Sequence, residues 1–268
     1  MRFLVLICFA ILSTLPARAQ DLAVEVDLEL FLAVDVSRSM NAVELDIQRR
    51  GYAAALTSPD VMNAIQSGML GRVALTYVEW AGDQSQRVIV PWTLVRNEAE
   101  ARTVANTITA VFDDSLRRTS ISGAIDYAVR DFEGNGYQGL RRVIDISGDG
   151  PNNQGRPVLD ARKDALDKRI TINGLPLMTE DALSSLWGIP DLDAYYKSCV
   201  IGGPGAFMIP VEGWPQFPDA VRRKLVLEIA NLVPTTPARI IKAQASAPYD
   251  CLAGEKLWER NRSYFSEP

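Results

Sequence analysis

The sequence predicts an α/β fold: a doubly wound, mostly parallel sheet with helices on both faces and one antiparallel edge hairpin strand. Three observations carry this. Short β-branched runs alternate with segments of helical periodicity, the pattern of a parallel sheet covered on both sides. Leu30 to Val34 is a continuous apolar run, as a strand buried on both faces requires. The connection GDQSQ, residues 82–86, is short enough to reverse the chain between two strands as a hairpin.

Taken in order, Leu28 to Val34 forms the first strand and Ala42 to about Thr57 the helix after it. VALTYVEWAG is the second strand and RVIVPWTLV the third, paired as the hairpin. Glu98 to Phe112 reads as a helix, DDSLRRTS as a loop, and Ile121 to Phe132 as an amphipathic helix with Ile121, Ile125, Ala128, Val129 and Phe132 on one face. RRVIDISGDG is a strand ending in a turn, PVLDARKDALDKR a helix and ITINGLPLM a strand. Residues 180–204 are irregular, GAFMIPV is a last short strand, and FPDAVRRKLVLEIANLV closes the domain as a helix. From Pro234 the chain turns to Pro, Ala and Ser and is expected to run as an extended tail.

The first residues, MRFLVLICFAILSTLPARAQ, carry the marks of an export signal. Arg2 gives the positive start, Phe3 to Leu12 the apolar core, and Ala17-Arg18-Ala19 the cleavage site. That core is about half the roughly 20 apolar residues a membrane span needs, and no later segment reaches that length. The expected layout is therefore a signal at 1–19, a lead at 20–25, one domain at 26–233 and a tail at 234–268, exported to a periplasm or secreted. Loss of Arg2 and Arg18 takes the formal charge from −5 to −7, which argues against nucleic acid or an anionic membrane as partner. The mature chain keeps two cysteines, Cys199 and Cys251; in an oxidising compartment they read as one disulfide pinning the tail to the domain, the alternative being two buried thiols.

The chain has no histidine, which excludes Ser-His and Cys-His nucleophile pairs and histidine-ligated zinc. No serine precedes a lysine at the three-residue spacing of Ser-Lys dyads. GNGYQG, residues 134–139, matches G-x-G-x-x-G, but a helix precedes it and a strand follows, the reverse of a dinucleotide fingerprint. An enzyme is not expected.

What stands out is LFLAVDVSRSM, where a buried strand ends on Asp35, Ser37 and Ser39 at every second position. In parallel sheets ligands bind beyond the carboxyl ends of the strands. Two other stretches on that rim offer oxygens: Thr119 ahead of a helix, and Asp149 at the end of RRVIDISGDG. Two carboxylates offset a divalent charge and three hydroxyls add neutral oxygens, a donor set suited to Mg²⁺, with Mn²⁺ or Ca²⁺ as alternatives. Each piece also has a plain structural reading as a helix cap or turn. Asp145 competes with Asp149 but lies mid-strand, where a charge needs a buried partner.

LFLAVDVSRSM resembles the D-x-S-x-S segment of von Willebrand factor A (VWA) domains, the metal-ion-dependent adhesion site (MIDAS); Thr119 matches that family's threonine and Asp149-Gly150 its late Asp-Gly. With its signal and SGDGPNN turn, the chain particularly resembles a bacterial VWA-like family of unknown function. The resemblance spans about Val26 to Val233 and implies cation-dependent binding of a protein partner that offers an acidic side chain. Two departures stand out: Arg117 and Arg118 occupy the place where a glycine often precedes the threonine, and Gly148 separates Ser147 from Asp149. Glu79, Trp80 and Asp83, at the hairpin, are candidates for a partner-facing rim; for Trp80 the favoured reading is packing beneath the loop as core. A metal-dependent hydrolase, drawing its base from Glu79, Asp83 or Asp145, and a surface-only interaction domain with a vestigial loop are the rival functions.

Overall fold

The computed structural model describes residues 23–111, 115–178, 188–232, 234 and 249–262. The proposed signal at 1–19 lies outside the described residues, as does most of the stretch after Pro234.

A five-stranded sheet forms the centre. Its strands are β2 (Leu28–Asp35), β3 (Val73–Trp80), β4 (Gln86–Val95), β6 (Arg142–Gly148) and β7 (Ile170–Pro176), in the order β4-β3-β2-β6-β7. Only the β3–β4 pair is antiparallel, so the expected edge hairpin is present. A small parallel pair, β1 (Val24–Val26) with β5 (Tyr137–Gly139), stands apart and had no counterpart in the sequence reading.

Alternation along β2 divides the core in two. Leu28, Leu30, Leu32 and Val34 pack with Leu45 and Tyr52 of α1 (Ala42–Leu56), Val61 of α2 (Pro59–Gln66), Val104 of α3 (Glu98–Thr109) and Phe217, Val221 and Leu225 near the chain's end. Phe31 and Ala33 face the other way, onto Ile121 and Ile125 of α4 (Ile121–Asp131) and Ala161 and Ala165 of α5 (Val158–Asp167). A strand buried on both faces thus reads as an unbroken apolar run because each parity serves a different helix layer.

Asn41 starts α1 with a reciprocal cap, its side chain accepting from Val43 and Glu44 N–H while Glu44 Oε2 accepts from Asn41 N–H at 2.8 Å. The helix α2 was not foreseen, although Ser58 as N-cap and Pro59 in its first turn are ordinary start signals. After β7 come α6 (Leu192–Tyr195), a π-helical turn over Tyr196–Val200, and α7 (Phe217–Ile229).

Two expectations are corrected. GAFMIPV is not a strand: it makes only isolated bridges, Gly174 with Met208 and Leu177 with Val211. Pro210 has no N–H to offer a ladder, so the segment covers the β7 edge without continuing the sheet. The tail is not simply extended, since Ala253–Arg262 forms a helix, α8. Cys199 and Cys251 are joined by a disulfide, Cα to Cα 5.6 Å, which ties α8 to the π-helical turn.

Candidate metal centre

The register of the sheet assembles the site. Val34 pairs with Ser147, so β2 and β6 end side by side and release Asp35 and Asp149 at the same rim. Leu116 N–H donates to Val36 O at 2.8 Å, and Leu116 bridges Ser37, which brings the segment leading to Thr119 against the 35–40 loop. Asn153 then stitches the third loop in: its N–H donates to Thr119 O (2.8 Å) and its Oδ1 accepts from Thr119 N–H (3.0 Å).

Within this enclosure Ser37 Oγ and Ser39 Oγ lie 3.0 Å apart, and Ser39 Oγ donates to Asp149 Oδ1 at 2.8 Å. The Thr119 side chain lies over Gly150, 4.0 Å from where a β-carbon there would stand. Asp35, Ser37, Ser39 and Asp149 therefore lie together, with Thr119 beside Gly150; all but Ser39 are buried. Asp35 Oδ1 accepts from Ser37 N–H at 2.7 Å, but its Oδ2 is buried with no hydrogen-bond partner. Burial, then repulsion from the Asp149 carboxylate, push the Asp35 carboxyl well above the usual range, against the opposing hydrogen bonds from the Ser37 backbone and side chain and from the Asp149 backbone. A buried carboxylate oxygen without a donor, facing a second carboxylate, is the arrangement a cation would satisfy. Among the described residues no cluster of three Asp, Glu, Cys or His side chains is placed to hold a metal ion. A cation here would depend on the hydroxyls, and the all-oxygen set fits a hard ion.

Both departures from the VWA pattern have local causes. A β-carbon on residue 148 would come within 2.9 Å of Asp35 Oδ2 and of Tyr196 Oη, so any side chain here would have to displace one of them. Arg118 has φ of +76°, the left-handed region where glycine is at ease, and its guanidinium lies 3.3 Å from the ring centre of Trp258 on α8. It is thus engaged by α8, while its neighbour Arg117 is exposed.

Of the three expected rim residues, two are buried and one reaches solvent. Asp83 is partly exposed, with its N–H donating to Gln154 Oε1 at 3.3 Å. Trp80 is fully buried, packed with Phe31, Val78 and α4, and serves the core. Glu79 is also buried, in ion pairs with Arg49 (2.7 Å) and Arg87; β3 is covered on both faces, so neither parity of the strand points to solvent. Asp145 lies in the sheet against Lys224 Nζ at 2.5 Å, away from the rim, as a mid-strand charge requires. Asn152 and Asn153, which order the Thr119 and Asp149 loops, were not identified as functional; the SGDGPNN turn was the only trace of them in the sequence.

Known proteins agree with this architecture. The structure of proximal thread matrix protein 1 from the mussel byssus superposes with a TM-score of 0.54 at 13% identity, covering 78% of this chain and 47% of that one. Another structure of that protein, described as having a zinc-occupied MIDAS motif, gives a TM-score of 0.51 at 13% identity over 76% and 47% of the two chains. A von Willebrand factor type A protein from Catenulispora acidiphila gives 0.53 at 14% identity over 76% and 43%. The chain thus matches less than half the length of these proteins, and the likeness is one of fold. No curated protein matches it in sequence. The fold is thus VWA-like, and residues 25–233 match the family model described as "Protein of unknown function (DUF1194)", so the chain belongs to that family.

Proposed function

We propose that this chain is an exported binding module that engages an acidic side chain of a protein partner through a divalent cation. Asp35, Ser37, Ser39, Thr119 and Asp149 would hold the ion, Mg²⁺ before Mn²⁺ or Ca²⁺, within a binding domain spanning residues 26–233. The observation that carries the reading is the buried, unpartnered Oδ2 of Asp35 set against Asp149 among three hydroxyls. When bound, the cation supplies a positive centre to which a partner carboxylate attaches. The protein's own part is to hold the five oxygens in place and keep them largely out of water. The mussel protein's zinc-occupied MIDAS supports the idea that this fold can carry a cation at such a loop.

Export is supported by the signal-like residues 1–19 and by the Cys199–Cys251 disulfide, which suits an oxidising compartment. No helix among the described residues is long and apolar enough to cross a membrane. The hydrolase reading has lost two of its three bases, since Glu79 and Asp145 are buried in ion pairs.

The test is calorimetric titration of the mature protein with Mg²⁺, Mn²⁺ and Ca²⁺, repeated with acetate standing in for a partner carboxylate. One saturable site, lost in both Asp35→Ala and Asp149→Ala, is expected. A folded wild type that binds none of the three ions, with or without acetate, would return the loop to a purely structural role.

A further inference from the structure

The helix α8 and the π-helical turn hold the Asp149 loop from two directions. From the π-helical side, Tyr195 Oη accepts from Asn152 N–H at 3.2 Å, and Tyr196 Oη makes a long hydrogen bond, 3.5 Å, to Gly148 O. From the α8 side, Glu255 Oε1 accepts from Asn152 Nδ2 at 2.8 Å. Gly254 comes so close that a β-carbon on it would lie 2.0 Å from Asn152 O. The Cys199–Cys251 bond fastens these two supports together.

Asn152 is fully buried and passes the contact on, since its Oδ1 accepts from Ser122 N–H at 3.0 Å in the first turn of α4. Arg118, the residue before Thr119, lies against Trp258 of the same helix. One short helix therefore touches both loops that bring Thr119 and Asp149 together, and touches each at a residue one to three positions from the oxygen concerned.

We infer that α8 is a disulfide-tethered clamp that sets the separation of Thr119 and Asp149, with Asn152, Glu255 and Trp258 as positioning residues. The inference rests on the functional reading above for its purpose, and on the contacts of Arg118 and Asn152 for its mechanism. Opening the tether loosens the clamp. A dithiol breaks the S–S bond, delivering two electrons and two protons to give two cysteine thiols, and itself closes to a cyclic disulfide. Cys251 is partly exposed whereas Cys199 is buried, so the bond is approached from the Cys251 side.

The experiment uses the full mature chain as wild type, dithiothreitol-reduced wild type, Trp258→Ala, Trp258→Phe, Glu255→Ala and Glu255→Gln. Two quantities are read: hydrogen exchange at the Thr119, Ser122 and Asn153 amides, and Mn²⁺ affinity by titration. Reduction and the two alanine variants should each speed exchange at those amides on the order of tenfold, as local opening does, while β2 and β3 amides stay protected. Mn²⁺ affinity should fall by a similar factor of about ten. Phe keeps a ring for Arg118 and Gln keeps an acceptor for Asn152, so both should stay within about twofold of wild type.

A helix that only adds stability would lower the melting temperature yet leave these amides and the Mn²⁺ affinity unchanged, and that result overturns the clamp. The exchange readout needs no cation. If the wild type binds no Mn²⁺, the functional reading falls, while accelerated amides would still uphold the clamp and unaltered ones would remove it too.

Discussion

Replacing Asp35 by asparagine should raise the stability of the cation-free protein and abolish the stabilisation a cation confers. The substitution keeps Oδ1, which accepts from Ser37 N–H at 2.7 Å, and replaces the unpartnered Oδ2 with an amide nitrogen. Asp35 is completely buried and repelled by Asp149, so in the absence of a cation its charge works against folding. An unsatisfied buried group costs on the order of 1–3 kcal/mol. The new amide must find its own acceptor, so a net gain of about 1 kcal/mol is expected at the lower end of that range. A cation at a hundred times its dissociation constant adds about 2.7 kcal/mol to the wild type. For a domain of this size each 1 kcal/mol moves the melting temperature by about 2–4 °C, so the wild type should gain about 5–11 °C. The assay is calorimetric melting of both proteins in chelator and in saturating Mg²⁺. The two should change places, with the asparagine variant higher in chelator and the wild type higher in Mg²⁺. A variant that melts below wild type in chelator would show that the buried Asp35 charge does not work against the cation-free fold, and an equal Mg²⁺ shift in both would remove Asp35 from the ligand set.

Three further outcomes follow from the packing. Gly148→Ala places a methyl group 2.9 Å from both Asp35 Oδ2 and Tyr196 Oη and should cost about 1–3 kcal/mol in urea unfolding; an effect near zero would mean the loop gives way freely. Trp80→Ala should cost about 3–5 kcal/mol by the same measurement, because Trp80 fills the core; a surface-sized effect would restore it to the rim. The buried trio of Lys224, Asp145 and Glu228 has one cation for two carboxylates, and burial followed by the Asp145 charge raises Glu228 from 4.5 to about 7. Because the folded value lies above the unfolded one, Glu228's contribution is fully present below pH 4.5 and is lost as pH rises through about 7. Glu228→Gln should flatten that part of the stability–pH curve, a loss of roughly 3 kcal/mol at most, and an unchanged slope between those pH values would show that another group titrates there.

The sheet was legible because its signal is local: β-branched runs, a short hairpin connection, and helices of clear period. The oxygen set was legible because Asp35, Ser37 and Ser39 lie in one loop and because parallel strands end together. What failed to show were pairings across long stretches of chain. Glu79 looked like a rim acid because nothing near it in sequence reveals Arg49, thirty residues away, as its buried partner. Trp80 was ambiguous because β3 is buried on both faces, so alternation could not say which way a residue at its end points. The helix α8 escaped because AGEKLWERNR is too polar to advertise a core-facing stripe and follows a run of Pro, Ala and Ser.

The same long-range contacts account for the two places where the chain departs from the VWA motif. An arginine in a left-handed conformation before Thr119 carries a backbone cost of about 1–2 kcal/mol that glycine would not. Stacking on Trp258 returns about 0.5–2 kcal/mol, enough to make the exchange close to neutral. Gly148, for its part, gives up a side chain so that Asp35 and Tyr196 can close on the strand end. Tyr196 belongs to the turn that holds Cys199, and Trp258 to the helix that follows Cys251, so both departures are supported by elements joined by one disulfide. A substitution at Trp258 should therefore be felt first at Thr119. Restoring glycine at position 118 should relieve the strain but remove the Arg118–Trp258 contact from α8. If Arg118→Gly leaves exchange in α8 unchanged, Arg118 does not hold the helix, and its left-handed backbone is tolerated for another reason.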